Sequence, residues 1–328
     1  MTPTLKEYIN TWLENRVKHT VKMRTYLTYT DTARRHILPA LGGIRLTDLT
    51  SLTLQAFVAD KLTSGNLKTG GALSTASAGL ICAVLNLALR SAVETGIISD
   101  NSMNKVKYRK EYGSGAQAFT APEQRRIECY IAAHNKIEYI GILLSLYTGL
   151  RLGELLALEF SDIDFKRGIL NVTKTAHYRK TGGEYAFCTD TPKSKTSMRV
   201  IPLPKEILET LKEHKRKSKS RYVISRFDGR RIPTHSYQYA FQAVLRKCGV
   251  RRLPFHALRH TFATRALECG IDVKTVSEIM GHGNAAFTLK RYAHSFTEHQ
   301  IKMMNRLSAL LFTVRKRTPI KTVYPNTG

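Results

Sequence analysis

Apolar residues recur through the first hundred positions with the spacing of helix faces. Leu5, Tyr8, Ile9, Trp12 and Leu13 fall at i, i+3, i+4, i+7 and i+8, which predicts an amphipathic helix. A second helix is expected over 22–37, with Tyr26, Tyr29, Ala33 and Ile37 inward and Arg24, Arg34 and Arg35 on the other face. Pro39 and Gly42-Gly43 break the pattern, which restarts over 49–62. A long helix is expected over 74–95, closed by Gly96, whose freedom to take a left-handed conformation suits a C-terminal cap. Nothing before Asn104 alternates as a strand does, so residues 1–104 read as an all-helical domain.

The pattern then changes. Residues 105–118 are basic, then rich in Gly and Ser, with little to bury, and predict a linker. Thr120 followed by Glu123 reads as a capping box opening a new domain over 119–328. An apolar helix is expected over 137–147, stopped by Gly149. Residues 169–177 and 185–189 alternate as strands around Lys180-Thr-Gly-Gly183, a hairpin turn, and 199–203 reads as a third strand. Helices return over 205–217, 235–247, 256–269, 273–280 and 286–292, and a last amphipathic run covers 297–311. The second domain is therefore mixed α+β with a small antiparallel sheet.

Charge narrows the partners. Lys and Arg number 52 against 25 Asp and Glu, a formal charge of +27. Such an excess repels itself in a compact fold unless a polyanion relieves it. Nucleic acid is the economical partner, because bound cations displace counterions condensed on phosphates; a basic ribosomal or membrane-surface protein is the alternative. The five cysteines lie far apart without a CxxC pair, which suits reduced thiols in a cytoplasm and offers no zinc pattern. No run approaches the roughly 20 uninterrupted apolar residues of a membrane span, and the N-terminus shows no signal peptide.

Four segments could carry phosphodiester chemistry, which needs a nucleophile, cations for the non-bridging oxygens and an acid for the departing oxygen. In Tyr147-Thr-Gly-Leu-Arg151-Leu-Gly-Glu154, Arg151 falls at a helix start, where backbone N–H groups favour an anion, and Glu154 lies one turn on. Pro192-Lys193-Ser-Lys195-Thr-Ser-Met-Arg199 is a cation-rich turn on which a lysine could reach a leaving oxygen. In His256-Ala-Leu-Arg259-His260, the first and fourth residues are expected to project together from a helix start. Gly281-His282 precedes Tyr292 by about three helical turns. Each segment alone is also compatible with ordinary surface or packing residues. His256 and His260 at i, i+4 invite a zinc reading, but Ala257 stands where a metalloprotease glutamate would be, and His260 reads as a structural histidine.

Taken in order, TGLRLGELLAL, PKSKTSMRVIPL, HALRHTFAT and MGHGNAAFTLKRYAH resemble the boxes of the tyrosine site-specific recombinase, or phage integrase, family, and the likeness extends over the helical N-terminal region. The long hairpin over 173–190 is similar in style to conjugative-transposon and phage integrases. Many of these begin with an arm-type module, and because this sequence opens directly on core-binding helices, either the enzyme lacks that module or the sequence is not the full protein. The resemblance implies the tyrosine recombinase fold, with a core-type DNA-binding domain before the catalytic one. It implies Tyr292 as nucleophile forming a 3′-phosphotyrosyl bond, Arg151 and Arg259 on the scissile phosphate, and Lys193 as the acid for the 5′ oxygen. His256 and His282 would assist and Glu154 would support the site. Lys193 rather than Lys195 fits the family's Pro-Lys-Thr/Ser pattern.

The chemistry needs no metal, ATP or other cofactor, because an aryl phosphate ester keeps the energy of the broken bond. The implied partners are double-stranded attachment sites of a mobile element or prophage, sister protomers in a synaptic homotetramer, and an accessory DNA-bending or directionality protein, in the cytoplasm and without a membrane. The rival readings are relaxation of DNA by a type IB topoisomerase-like enzyme, a non-catalytic basic DNA-binding protein, and a zinc hydrolase using His256 and His260.

Overall fold

The computed structural model describes residues 2–108, 117–134, 136–181, 184–190, 198–226 and 228–281, with 304, 305, 307 and 308. Lys193, His282, Tyr292, the turn at Gly182-Gly183, the expected helix over 286–292 and most of that over 297–311 lie outside them. The chain divides into two compact units, Met1–Gly113 and Ser114–Gly328.

Every described regular element of the first unit is helical apart from an isolated bridge between Thr4 and Arg45. Thr4 and Glu7 close a capping box: the Glu7 N–H donates to the Thr4 hydroxyl at 3.3 Å, and the Thr4 N–H donates to the Glu7 carboxylate at 2.8 Å. The helix Leu5–Trp12 then buries Leu5, Tyr8, Ile9 and Trp12 as the periodicity predicts. It continues through a wider π-type turn, Leu13–Val17, and the next helix, Met23–Thr32, does the same over Ala33–Ile37 before running on to Leu41. Pro39 therefore does not break the helix as its sequence position suggests. It falls in the first turn after the widened segment, where the hydrogen-bond ladder is already displaced and a missing N–H costs little.

Thr50 and Ser74 cap the helices Ser51–Ser64 and Thr75–Glu94. Among the described residues, Thr75–Glu94 is long and apolar enough to cross a membrane by length and composition, a property its interspersed polar residues hide from a count of uninterrupted apolar positions. Half of its apolar window is buried within the protein, with Ile81, Val84, Leu85, Ala88 and Leu89 in the core of this helical unit. Lys107 is held to the same unit by the Gln55 amide, which donates to its carbonyl at 2.9 Å and accepts its N–H at 3.0 Å.

The second unit opens on Thr120 and Glu123, which form the expected capping box for the helix Ala121–His134. Just before it, the Phe119 N–H donates at 2.9 Å to the hydroxyl of Thr261, a fully buried residue of the helix His256–Glu268. Two small antiparallel sheets follow. Strand β1 (Ile163–Asp164) pairs with β2 (Ile169–Val172), which pairs with β5 (Arg199–Pro202); β3 (Thr175–Thr181) and β4 (Glu184–Asp190) form a separate hairpin with Thr181 opposite Glu184. The single strand expected over 169–177 is thus two strands in different sheets. The chain steps between them at Thr173-Lys174, where the Lys174 ammonium is held 3.2 Å from Asp162 and 3.4 Å from Glu159. The helices Ile140–Thr148 and His256–Glu268 pack together, and the core runs from Phe119 through Leu144, Leu155, Leu170, Ile201 and Phe241 to Leu258.

Candidate active site

The apolar helix Ile140–Thr148 ends at Gly149 in the left-handed conformation, φ 66°, as its sequence position requires. A Cβ at Gly149 would lie 2.7 Å from the Phe262 ring, so glycine is needed for space as well as for backbone angle. Two residues later Arg151 takes extended backbone angles and heads the helix Leu152–Ala157. The Arg151 N–H donates to the Glu154 carboxylate at 2.9 Å. The sequence predicts an anion-welcoming helix start here; for this N–H, the anion is the chain's own glutamate.

Glu154 is 5% exposed, and a carboxylate so buried must be paired. It has two cationic partners. Its Oε1 accepts from Arg151 Nη1 at 2.8 Å and from Arg199 Nη1 at 3.1 Å, while Oε2 accepts from Arg199 Nη2 at 2.9 Å as well as from the Arg151 N–H. Burial by itself would raise the Glu154 carboxyl, but the hydrogen bonds and charge of Arg199, followed by those of Arg151, outweigh it and hold the group below the usual carboxylate range. Arg199 stands at the head of β5, and the sequence gives it no role of its own. The signal was indirect: an acid on the inner face of a helix, one turn from an arginine, leaves lone pairs for a second cation.

The arginines meet again at the end of the helix Val273–Met280, whose last carbonyls have no helical partner. Arg199 Nε donates to the Ile279 carbonyl at 2.5 Å, Arg259 Nη2 to that of Met280 at 2.6 Å, and Arg151 Nη2 to that of Gly281 at 3.2 Å. Three cations from three separate segments thus take three consecutive carbonyls, at the negative end of the helix dipole. Gly281 closes the helix at φ 63°. Arg259 also donates through Nη1 to the Gly149 carbonyl at 2.7 Å, tying the two helix stops together.

The sequence expects His256 and Arg259 to project together from the helix start, and the two differ in burial. His256 is exposed, whereas Arg259 is 1% exposed because its long side chain turns inward to the carbonyls of Gly149 and Met280. The ring of buried His260 meets that of His256 edge-on at 4.6 Å. Among the described residues no three His, Cys, Asp or Glu side chains gather as metal ligands would. The structure therefore brings together Arg151, Glu154 and Arg259, adds Arg199, and sets His256 at the surface.

Residues 119–299, more than half of the chain, match the model of the phage integrase family, and residues 4–62 match that of the phage integrase N-terminal SAM-like domain. A tyrosine recombinase XerC-like protein of Caldanaerobacter subterraneus subsp. tengcongensis is 27% identical over 94% of this chain and 83% of its own length. Among solved structures, the Tn1549 transposon integrase in complex with a circular intermediate DNA matches with a TM-score of 0.76 and 22% identity, over 93% of this chain and all of that one. A lambda integrase tetramer bound to a Holliday junction matches with a TM-score of 0.64 and 22% identity, over 86% of this chain and 78% of that one. The chain belongs to the phage integrase family and is a site-specific DNA recombinase of the tyrosine class.

Proposed function

We propose that this recombinase cuts and rejoins the double-stranded attachment sites of a mobile element or prophage through Tyr292, with Arg151 and Arg259 on the scissile phosphate. The observation that carries this reading is the convergence of Arg151 and Arg259 on the adjacent carbonyls of Gly281 and Met280, the residues that immediately precede His282 in the chain. Arg151 retains N–H groups that no described residue takes, on a side chain 37% exposed, and a guanidinium so placed can donate to a phosphate oxygen.

In the proposed step the Tyr292 phenolate oxygen bonds to phosphorus, the bond from phosphorus to the 5′ oxygen breaks, and Lys193 gives its proton to that oxygen. A phenol with a pKa of about 10 is a weak nucleophile at neutral pH until cations favour its ionised form. The arginines would supply that field and offset charge gathering on the non-bridging oxygens. His256 would assist proton movement or bind phosphate, His282 would donate a hydrogen bond, and Glu154 would hold Arg151. The aryl ester is then open to a 5′-hydroxyl from a second DNA, so rejoining reverses the first step. We assign the exchange to a homotetramer on paired sites, aided by an accessory DNA-bending or directionality protein in the cytoplasm. The DNA-bound integrase structures that share this fold, one of them a tetramer on a Holliday junction, support the DNA and tetramer parts of this reading.

The test is direct. Wild type and Tyr292→Phe are incubated with a nicked duplex carrying the protein's highest-affinity site, selected from a random pool, and run on a denaturing gel. Wild type should form a covalent protein–DNA adduct and the variant none; an adduct from the variant would remove Tyr292 from the role.

A further inference from the structure

We propose that Arg199 is a positioning residue for Arg151: it fixes the carboxylate that orients the phosphate-binding guanidinium, and it pins the turn against which that guanidinium rests. The proposal rests on the reading of Arg151 given above.

The geometry is a relay. Arg199 meets Glu154 as a two-pronged fork, Nη1 to Oε1 at 3.1 Å and Nη2 to Oε2 at 2.9 Å, with both side chains about nineteen-twentieths buried. A planar fork of this kind leaves the carboxylate no freedom to rotate. The lone pairs that remain on the same two oxygens take Arg151 twice, through its side chain and through its own backbone N–H. Arg199 therefore sets the plane of Glu154, and Glu154 sets both the backbone and the head group of Arg151. The third Arg199 donor, Nε, goes to the Ile279 carbonyl, and Arg151 Nη2 rests on the Gly281 carbonyl two residues on. A Cβ at Gly281 would lie 2.9 Å from Arg199 Cδ, so the turn lies directly on the Arg199 stem. Both supports of the Arg151 head group thus lead back to Arg199. Lysine could keep the charge there but could not hold a carboxylate plane and a carbonyl together.

Arg199→Met, which keeps length without charge, and Arg199→Lys would be compared with wild type in single-turnover cleavage of the selected nicked duplex. The same duplex would also be used with a methylphosphonate at the scissile position, a neutral methyl replacing one non-bridging oxygen. Affinity for the uncleaved duplex and the thermal midpoint would be measured beside them. Misplacing the guanidinium by about 1 Å should cost Arg199→Met on the order of 100-fold in cleavage rate, with affinity changed only a few-fold. On methylphosphonate, where less charge needs a clamp, the deficit should shrink to under about 10-fold. Arg199→Lys should recover only part of the rate, and it carries the comparison if the methionine variant does not fold.

An equal deficit on both substrates would mean that Arg199 merely supports the fold, and a wild-type rate would mean that it does nothing; either overturns the proposal while leaving the role of Arg151 intact. Absence of any wild-type adduct would instead overturn the parent reading, and this one with it.

Discussion

Arg199 and Gly281 are in such close apposition that the turn closing the helix Val273–Met280 has room for a hydrogen and nothing larger: a Cβ would stand 2.9 Å from Arg199 Cδ and 3.2 Å from Nη1. Gly281 also has φ 63°, where L side chains are strained. Gly281→Ala should therefore cost roughly 1–3 kcal/mol of stability through backbone strain and displacement of Arg199. It should slow covalent adduct formation more than it weakens DNA binding. Differential scanning calorimetry and single-turnover cleavage check this; an unchanged midpoint with an unchanged rate would refute it.

Glu154 links folding to pH. Its carboxyl lies below the usual value of 4.5 in the folded protein, since the cations of Arg199 and Arg151 outweigh the effect of burial. A depressed folded value means that the group adds stability at pH above 4.5, and that this contribution is lost as pH falls through the lower folded value. Glu154→Gln should remove that contribution and flatten the acid limb of the stability curve. It should also cost about 3 kcal/mol at neutral pH, because Arg199 is left buried beside a neutral amide. Chemical denaturation across the acid range measures both; parallel curves for the two proteins would contradict the assignment.

The buried hydroxyl of Thr261 accepts the Phe119 N–H and donates to the Ala257 carbonyl at 2.8 Å. Thr261→Val keeps the shape and leaves the Phe119 N–H unpaired in the core, which should cost about 1–3 kcal/mol. Hydrogen exchange should then quicken at the start of the second unit. Unchanged protection at Phe119 would show that the bond contributes little.

Chelators bear on the His256 and His260 zinc reading. If arginines supply the charge at the scissile phosphate, treatment with EDTA followed by dialysis should leave adduct formation at its original rate. Loss of activity that zinc restores would return the two histidines to consideration.

Much of the scaffold around these residues was legible because local chemistry decides it. Thr120 with Glu123 announces a helix start through short hydrogen bonds that their spacing alone allows. Gly149 and Gly281 announce stops because a left-handed residue is required there. What escaped the sequence was non-local. The split of 169–177 into β2 and β3 depends on Lys174 finding Asp162 and Glu159, and the continuation of a helix past Pro39 depends on a widened turn before it. The burial of Arg259, which helix spacing does not foretell, depends on carbonyls supplied by Gly149 and Met280. Arg199 escaped because its partner Glu154 lies on another element, and no spacing rule connects a strand head to a helix first turn.

The acceptors that Arg199, Arg259 and Arg151 use at residues 279–281 are main-chain carbonyls, which every amino acid carries. In a chimera with a distant relative, the exposed positions of the helix Val273–Met280 could then be exchanged freely, provided that the buried Val276, Ser277 and Met280 keep their size and that a glycine follows. The donors could not. A crossover placed between Glu154 and Arg199 would ask one parent's carboxylate to seat the other parent's guanidinium, and library designs for retargeted enzymes should keep those two residues on the same parental block.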